Sequence, residues 1–154
     1  MSKQEIVMKP IGYVKTEAGE EELRRRRKDI VSEIYIDEEF VEGLEGIEEY
    51  SHLFVIFWMH KVPKEEKKLK VHPRGREDLP LVGIFATRGR SRPNPIGLAV
   101  VELLERDRER LKVRALDAID GTPVLDIKPY DYIDVMKEVR VPRWWLEIHK
   151  ELKG

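Results

Sequence analysis

The 154-residue chain contains no cysteine. That excludes disulfides, a thiolate nucleophile and thiolate metal ligands, and it fits a reducing, intracellular setting. Long apolar runs are also missing. The longest, Leu53 to Met59, falls far short of the ~20 residues that span a bilayer. Met1 to Pro10 lacks the apolar segment of a secretion signal, so a soluble, cytoplasmic protein is expected. Net charge is nearly absent. The 29 Lys and Arg and the 30 Asp and Glu leave a formal -1, so any contact with a polyanion must come from local clustering. There is no Gly-x-Gly-x-x-Gly, no phosphate-loop sequence and no Gly-x-Ser-x-Gly, which argues against a Rossmann enzyme and against a serine nucleophile on an elbow. The four histidines (His52, His60, His72 and His149) lack paired ligand spacing, and no metal site is expected.

Charge, by contrast, is plentiful. Charged residues reach 38%, which together with the missing cysteine hints at a thermophilic protein with surface ion-pair networks. The length predicts one domain over residues 1–154. Met8 to Val14 and Ile30 to Ile36 read as strands. Leu53 to His60 is apolar on both faces and reads as a doubly buried central strand. Leu81 to Thr87, Leu98 to Leu104 and Leu111 to Ala118 follow as strands. Asp120-Gly121 turns the chain back into Pro123 to Ile127. Asp37 to Leu44 suggests a helical turn. Pro142 opens a short helix with Trp145, Ile148 and Leu152 on one face, and Trp144 or Trp145 is a candidate for a subunit interface. Several short strands with few helices predict a mainly β fold, a small β-barrel with short peripheral helices.

Two segments carry unusual chemistry. Arg88-Gly89-Arg90-Ser91-Arg92-Pro93-Asn94-Pro95-Ile96-Gly97 places three arginines before two prolines that fix φ and remove backbone donors. It reads either as a stiff, solvated turn or as a donor-rich loop for an anion or carboxylate. Thr16 to Asp29 is a charge run with Glu20, Glu21 and Glu22 each four residues before an arginine. It suits a helix or a mobile loop, and either a solvated segment or a basic lid. Asp117, Asp120, Asp126 and Asp131 cluster in sequence around one turn. A half-buried Asp117 would need a partner. Asp120 most simply caps its own turn. His60 falls at the far end of the central strand from His52, on the face of Phe54, Ile56 and Trp58, where it could line a barrel rim.

The blocks Gly83-Ile84-Phe85-Ala86-Thr87-Arg88, Arg92-Pro93-Asn94-Pro95-Ile96-Gly97 and Asp120-Gly121-Thr122-Pro123-Val124-Leu125-Asp126-Ile127-Lys128-Pro129-Tyr130 come in fixed order. Ile11-Gly12, Leu44-Glu45-Gly46 and Tyr50-Ser51-His52-Leu53 accompany them. Together, from about residue 8 to about residue 135, they resemble the TsaA/TrmO family of S-adenosylmethionine-dependent tRNA methyltransferases. The resemblance implies a barrel that binds S-adenosyl-L-methionine without a Rossmann sheet, as a homodimer, and N6-methylates N6-threonylcarbamoyladenosine beside the tRNA anticodon. It implies cofactor contacts at His60, Lys61, Arg88, Leu98, Leu116, Asp117, Ala118, Ile119 and Asp120. Arg90, Arg92 and Asn94 are left for the RNA, and Asp117, Asp120 and His60 are the candidate proton acceptors. On that assignment Arg92→Ala loses methylation while cofactor binding survives. Other readings are the same barrel acting on another RNA or a small molecule, and a non-catalytic cofactor- or RNA-binding module. Family members also carry a Pro-Arg-Gln stretch in the N-terminal loop, and here Glu20 to Asp29 has none. Larger bacterial members have a C-terminal extension that does not follow Gly154.

Overall fold

The computed structural model describes residues 4–63 and 67–150. Six antiparallel strands close a barrel: β1 (Gly12–Lys15), β2 (Val31–Ile36), β3 (His52–Trp58), β6 (Ile96–Asp107), β7 (Arg110–Arg114) and β8 (Pro123–Pro129). Their order around the wall is β1-β2-β7-β6-β3-β8. A separate ribbon pairs β4 (Lys70–Val71) with β5 (Val82–Gly83). Helices are few: α1 (Glu20–Arg26) and α2 (Arg143–Ile148), plus single turns of 3-10 helix.

Alternation builds the core. Val14, Ile34, Leu53, Val55, Val101, Leu111, Val113 and Val124 all point inward and are fully buried. The charged residues between them ladder across the outer wall. Arg110 bridges β7 to Glu33 of β2 at 2.6 Å and holds the Glu33 carboxyl below the ordinary glutamate range through that hydrogen bond. One inward residue breaks the rule. Ser32 is buried, and its Oγ has no hydrogen-bond partner. A buried hydroxyl left unpaired costs free energy that a methyl group does not. Ser32→Ala is therefore expected to raise stability by about 1 kcal/mol in urea unfolding; a destabilised variant would mean that the hydroxyl is satisfied.

The lower end of the barrel is plugged from below. The 3-10 segment Glu38–Leu44 follows Asp37 and sends Leu44 into the core, with Phe40 and Ile47 packed beside it. Asp37 starts this segment through its carbonyl, which accepts from Phe40 N–H at 2.8 Å, and its side chain makes no cap.

Several expected strands are shorter or differently placed. β1 starts at Gly12, after Pro10 has removed a donor from the ladder. β3 is not doubly buried. Leu53, Val55 and Phe57 face the core, while Phe54, Ile56 and Trp58 lie half-buried on the outer wall. Only Val82–Gly83 of the 81–87 stretch is strand, because Ile84–Ala86 turns as 3-10 helix. β7 ends at Arg114, where Ala115 takes a left-handed φ of 77° and so re-aims the residues after it. The expected hairpin between β7 and β8 does not exist, since β7 pairs with β2 and β6 while β8 pairs with β1 and β3. The charge run does fold, as α1, with acids in its first turn and arginines in its last, the order the helix dipole favours. Leu23, 2% exposed, is the anchor. In α2, Trp145 stacks on His149 at 4.1 Å and Trp144 lines a cleft with Leu79 and Pro80. Leu152 lies outside the described residues.

Candidate functional site

Topology gathers the unusual segments at one end. β1, β3 and β7 run upward, and β2, β6 and β8 run downward. The upper mouth therefore receives three connections: residues 16–30 from β1 to β2, residues 59–95 from β3 to β6, and residues 115–122 from β7 to β8. The charge run, the arginine loop and the Asp117–Asp120 segment meet there, although they lie some 20 to 90 residues apart in sequence.

The 115–122 connection crosses the mouth, because β7 and β8 are not neighbours in the wall. Leu116 and Ala118 drop into the core and close it from above, while Asp117 between them is exposed. The main-chain groups of Leu116, Asp117 and Ala118 make no hydrogen bond among the described residues. The flanking groups do: Ala115 N–H donates to Ile30 O at 3.0 Å and Thr122 N–H to Ile119 O at 3.2 Å. Main-chain polar groups without protein partners can take hydrogen bonds from another molecule. Asp120 does not cap its own turn. Its Oδ1 accepts from Thr16 N–H at 2.9 Å, tying the crossing segment to the end of β1. The acidic cluster seen in sequence divides in space. Asp126 sits on β8 and pairs with Lys128, and Asp131 caps a 3-10 turn beyond the lower end of that strand.

The arginine loop is built from inside. Arg92 Nη1 donates to the carbonyls of Ile84, Thr87 and Gly89 at 3.3, 2.9 and 3.1 Å. Thr87 Oγ1 donates to Ile84 O and accepts from Gly89 N–H. Arg92 thus holds the loop that carries Arg88 and Arg90, both exposed, and its Nη1 is spent on main chain. Pro95 O accepts from Met59 N–H at 2.8 Å, so the loop is stitched to the end of β3. His60 and Lys61 follow Met59 in an exposed turn, past the last ladder residue, so His60 does not share the β3 face. Asn94 is exposed in the same loop, with its carbonyl turning the chain to Ile96 N–H at 2.7 Å.

α1 bridges the two halves. Glu20 reaches Arg90 at 3.4 Å, and Arg27, just past the helix, reaches Asp117 at 3.2 Å. Asp117 is exposed and not half-buried as expected, and its ion-pair partner is an arginine of this chain. The even charge of the 20–29 run conceals which members look across the mouth, and only the fold selects them. Leu98 alone among the expected contacts is not at the mouth. It lies opposite Ile56 on the outer wall, 62% exposed. No helix among the described residues is long and apolar enough to cross a membrane, and none of their His, Asp and Glu side chains converge in threes as metal ligands would.

Residues 22–135 match the tRNA-methyltransferase O N-terminal domain. The chain belongs to that family. An S-adenosyl-L-methionine-binding protein of Archaeoglobus fulgidus is 48% identical over 128 residues, covering 81% of this chain and 89% of the relative. Among solved structures, a TrmO crystal structure superposes with a TM-score of 0.73 at 33% identity, covering 91% of this chain. TrmO from Pseudomonas aeruginosa gives 0.72, also at 33% identity, and covers 89%. The chain spans about 62% and 61% of the length of those two TrmO chains. The barrel of this chain brings the arginine loop and the start of the Asp120 block to one mouth.

Proposed function

We propose that this chain is an S-adenosylmethionine-dependent tRNA methyltransferase acting on N6 of N6-threonylcarbamoyladenosine. The observation that carries the reading is the convergence of Arg88, Asp117, Asp120 and the unpartnered main chain of residues 116–118 at the upper mouth. This donor set fits the cofactor. A guanidinium suits its carboxylate, a carboxylate suits its amine or ribose hydroxyls, and main-chain groups suit an adenine edge. When bound, the cofactor supplies an already activated methyl group on sulfonium. The chain's own task is then orientation, and a rigid barrel end with a proline-stiffened loop is suited to it. The N6 nitrogen beside a carbonyl must lose its proton, and the acceptors at this mouth are Asp117, Asp120 and His60. Arg88 serves the cofactor side, and Arg90 and Asn94 the RNA side. Arg92 serves as the positioning residue that shapes the loop.

A homodimer belongs to the same proposal. Ile96, Leu98 and Val100 of β6 stand exposed beside the half-buried Phe54, Ile56 and Trp58 of β3. This strip of apolar wall is a fit surface for a second copy, and it accounts for the exposed leucine just after the proline-rich block. Sedimentation equilibrium tests it, and a wild-type monomer at micromolar concentration would remove this part.

The decisive experiment incubates the protein with the cofactor and tRNA from a strain lacking the family enzyme, followed by nucleoside mass spectrometry. The expected result is loss of N6-threonylcarbamoyladenosine and gain of its methylated form. Methylation of a different nucleoside would select the same barrel on another RNA. Cofactor binding without methylation of any RNA would select a binding module.

A further inference from the structure

Phe85 is 74% exposed, whereas its neighbour Ile84 is 1% exposed. A bulky aromatic turned to solvent beside a core residue is not an accident of a floppy loop here, because the backbone under it is pinned. Ile84 N–H donates to Leu69 O at 2.8 Å, and Thr87 N–H to Ile84 O at 3.1 Å. Thr87 Oγ1 and Arg92 Nη1 add two further bonds to that carbonyl. The Arg92 guanidinium stands 5.8 Å from the ring centroid. Arg88 and Arg90, both exposed, continue the same loop at the upper mouth. The arrangement is an exposed ring on a pinned backbone, in a loop that carries exposed cations.

We propose that Phe85 is a stacking platform for an unpaired base of the RNA substrate, with Arg90 of the same loop on the side of the adjacent phosphates. The inference rests on the tRNA reading above and adds a residue and a contact to it. Single-stranded nucleic acid is recognised by this pairing of an aromatic face for the base with cations for the backbone. An anticodon loop supplies unpaired bases, so the ring faces a substrate part that can be splayed out. A small-molecule substrate would give no use to an exposed ring carried on a cationic loop.

The test uses fluorescence anisotropy with an anticodon stem-loop RNA, and with the same RNA carrying an abasic site at the target position, at fixed salt. Phe85→Ala should weaken binding of the intact RNA by about tenfold and leave binding of the abasic RNA unchanged. Phe85→Trp should restore it, and calorimetric affinity for S-adenosylmethionine should be the same in all variants. Phe85→Leu, which keeps apolar area without a π-face, should behave like alanine. Equal binding of the intact RNA by wild type and Phe85→Ala overturns the platform and leaves the tRNA reading standing. A changed sedimentation mass in Phe85→Ala overturns it in favour of a protein contact. Failure of the wild type to bind any tRNA overturns both.

Discussion

Arg92→Ala is expected to lower methyl transfer by about a hundredfold or more and to weaken cofactor binding with it. The residue does not reach outward. Its Nη1 sits among the carbonyls of Ile84, Thr87 and Gly89, and each such charge-assisted bond is worth about 1.5–3 kcal/mol when formed away from bulk water. Deleting the guanidinium leaves three carbonyl dipoles converging on a gap, and they will separate. Arg88 and Arg90 move with them. A displacement of about 1 Å in a positioning group is enough for a hundredfold loss. Arg92→Lys should recover part of the activity, because an ammonium can meet two of the three oxygens. Arg88→Ala should cost cofactor affinity without disturbing the loop. Calorimetry with S-adenosylmethionine decides between roles. If Arg92→Ala keeps full cofactor affinity and loses only tRNA affinity, Arg92 touches RNA directly and the positioning role is wrong.

The contrast between Arg88 and Arg92 marks how far the sequence could be read. The mainly β barrel follows from alternation, turn residues and the signature blocks, all of which are local. Roles inside a segment depend on contacts that are not local. Three arginines two residues apart look equivalent on paper, and only the packed loop shows that one faces inward. The same holds for Asp120, whose nearest donor in sequence is its own turn but whose partner in space is Thr16 N–H. The hairpin expected at Asp120-Gly121 failed for a related reason. A turn signal fixes a change of direction, but it does not say whether the two strands become neighbours. Ala115, in a left-handed conformation that residues other than glycine seldom adopt, sends the chain across the mouth. Nothing in the composition around it announces that step. The crossing places Asp117 over the core, and with it half of the candidate site.

Gly97→Ala should cost about 3 kcal/mol of stability. For a domain of this size that is a fall of roughly 6–12 °C in Tm. Gly97 pairs directly with Phe57 across β6 and β3. The Phe57 ring lies over the glycine: an added Cβ would stand 2.8 Å from Cδ2 and closer still to Cε2 and Cζ. The ring cannot swing aside, since Phe57 is buried in the barrel core. The glycine that closes the proline-rich block is therefore a packing requirement of the wall, and its place in the motif follows from the aromatic opposite it. Gly43→Ala, where the added Cβ meets nothing within 4 Å, is the control and should stay within about 0.5 kcal/mol of wild type. A double-mutant cycle isolates the cause. Phe57→Leu alone should cost about 1–2 kcal/mol, and in the Gly97→Ala background it should relieve the clash, so that the pair costs less than the sum of its parts. Additive losses would mean that the strain lies in the backbone of β6 and not in the ring. Because Pro95 O also holds Met59 N–H two residues before Gly97, a β6 strand pushed off β3 would carry the arginine loop with it. Activity should then fall even at temperatures where the variant remains folded.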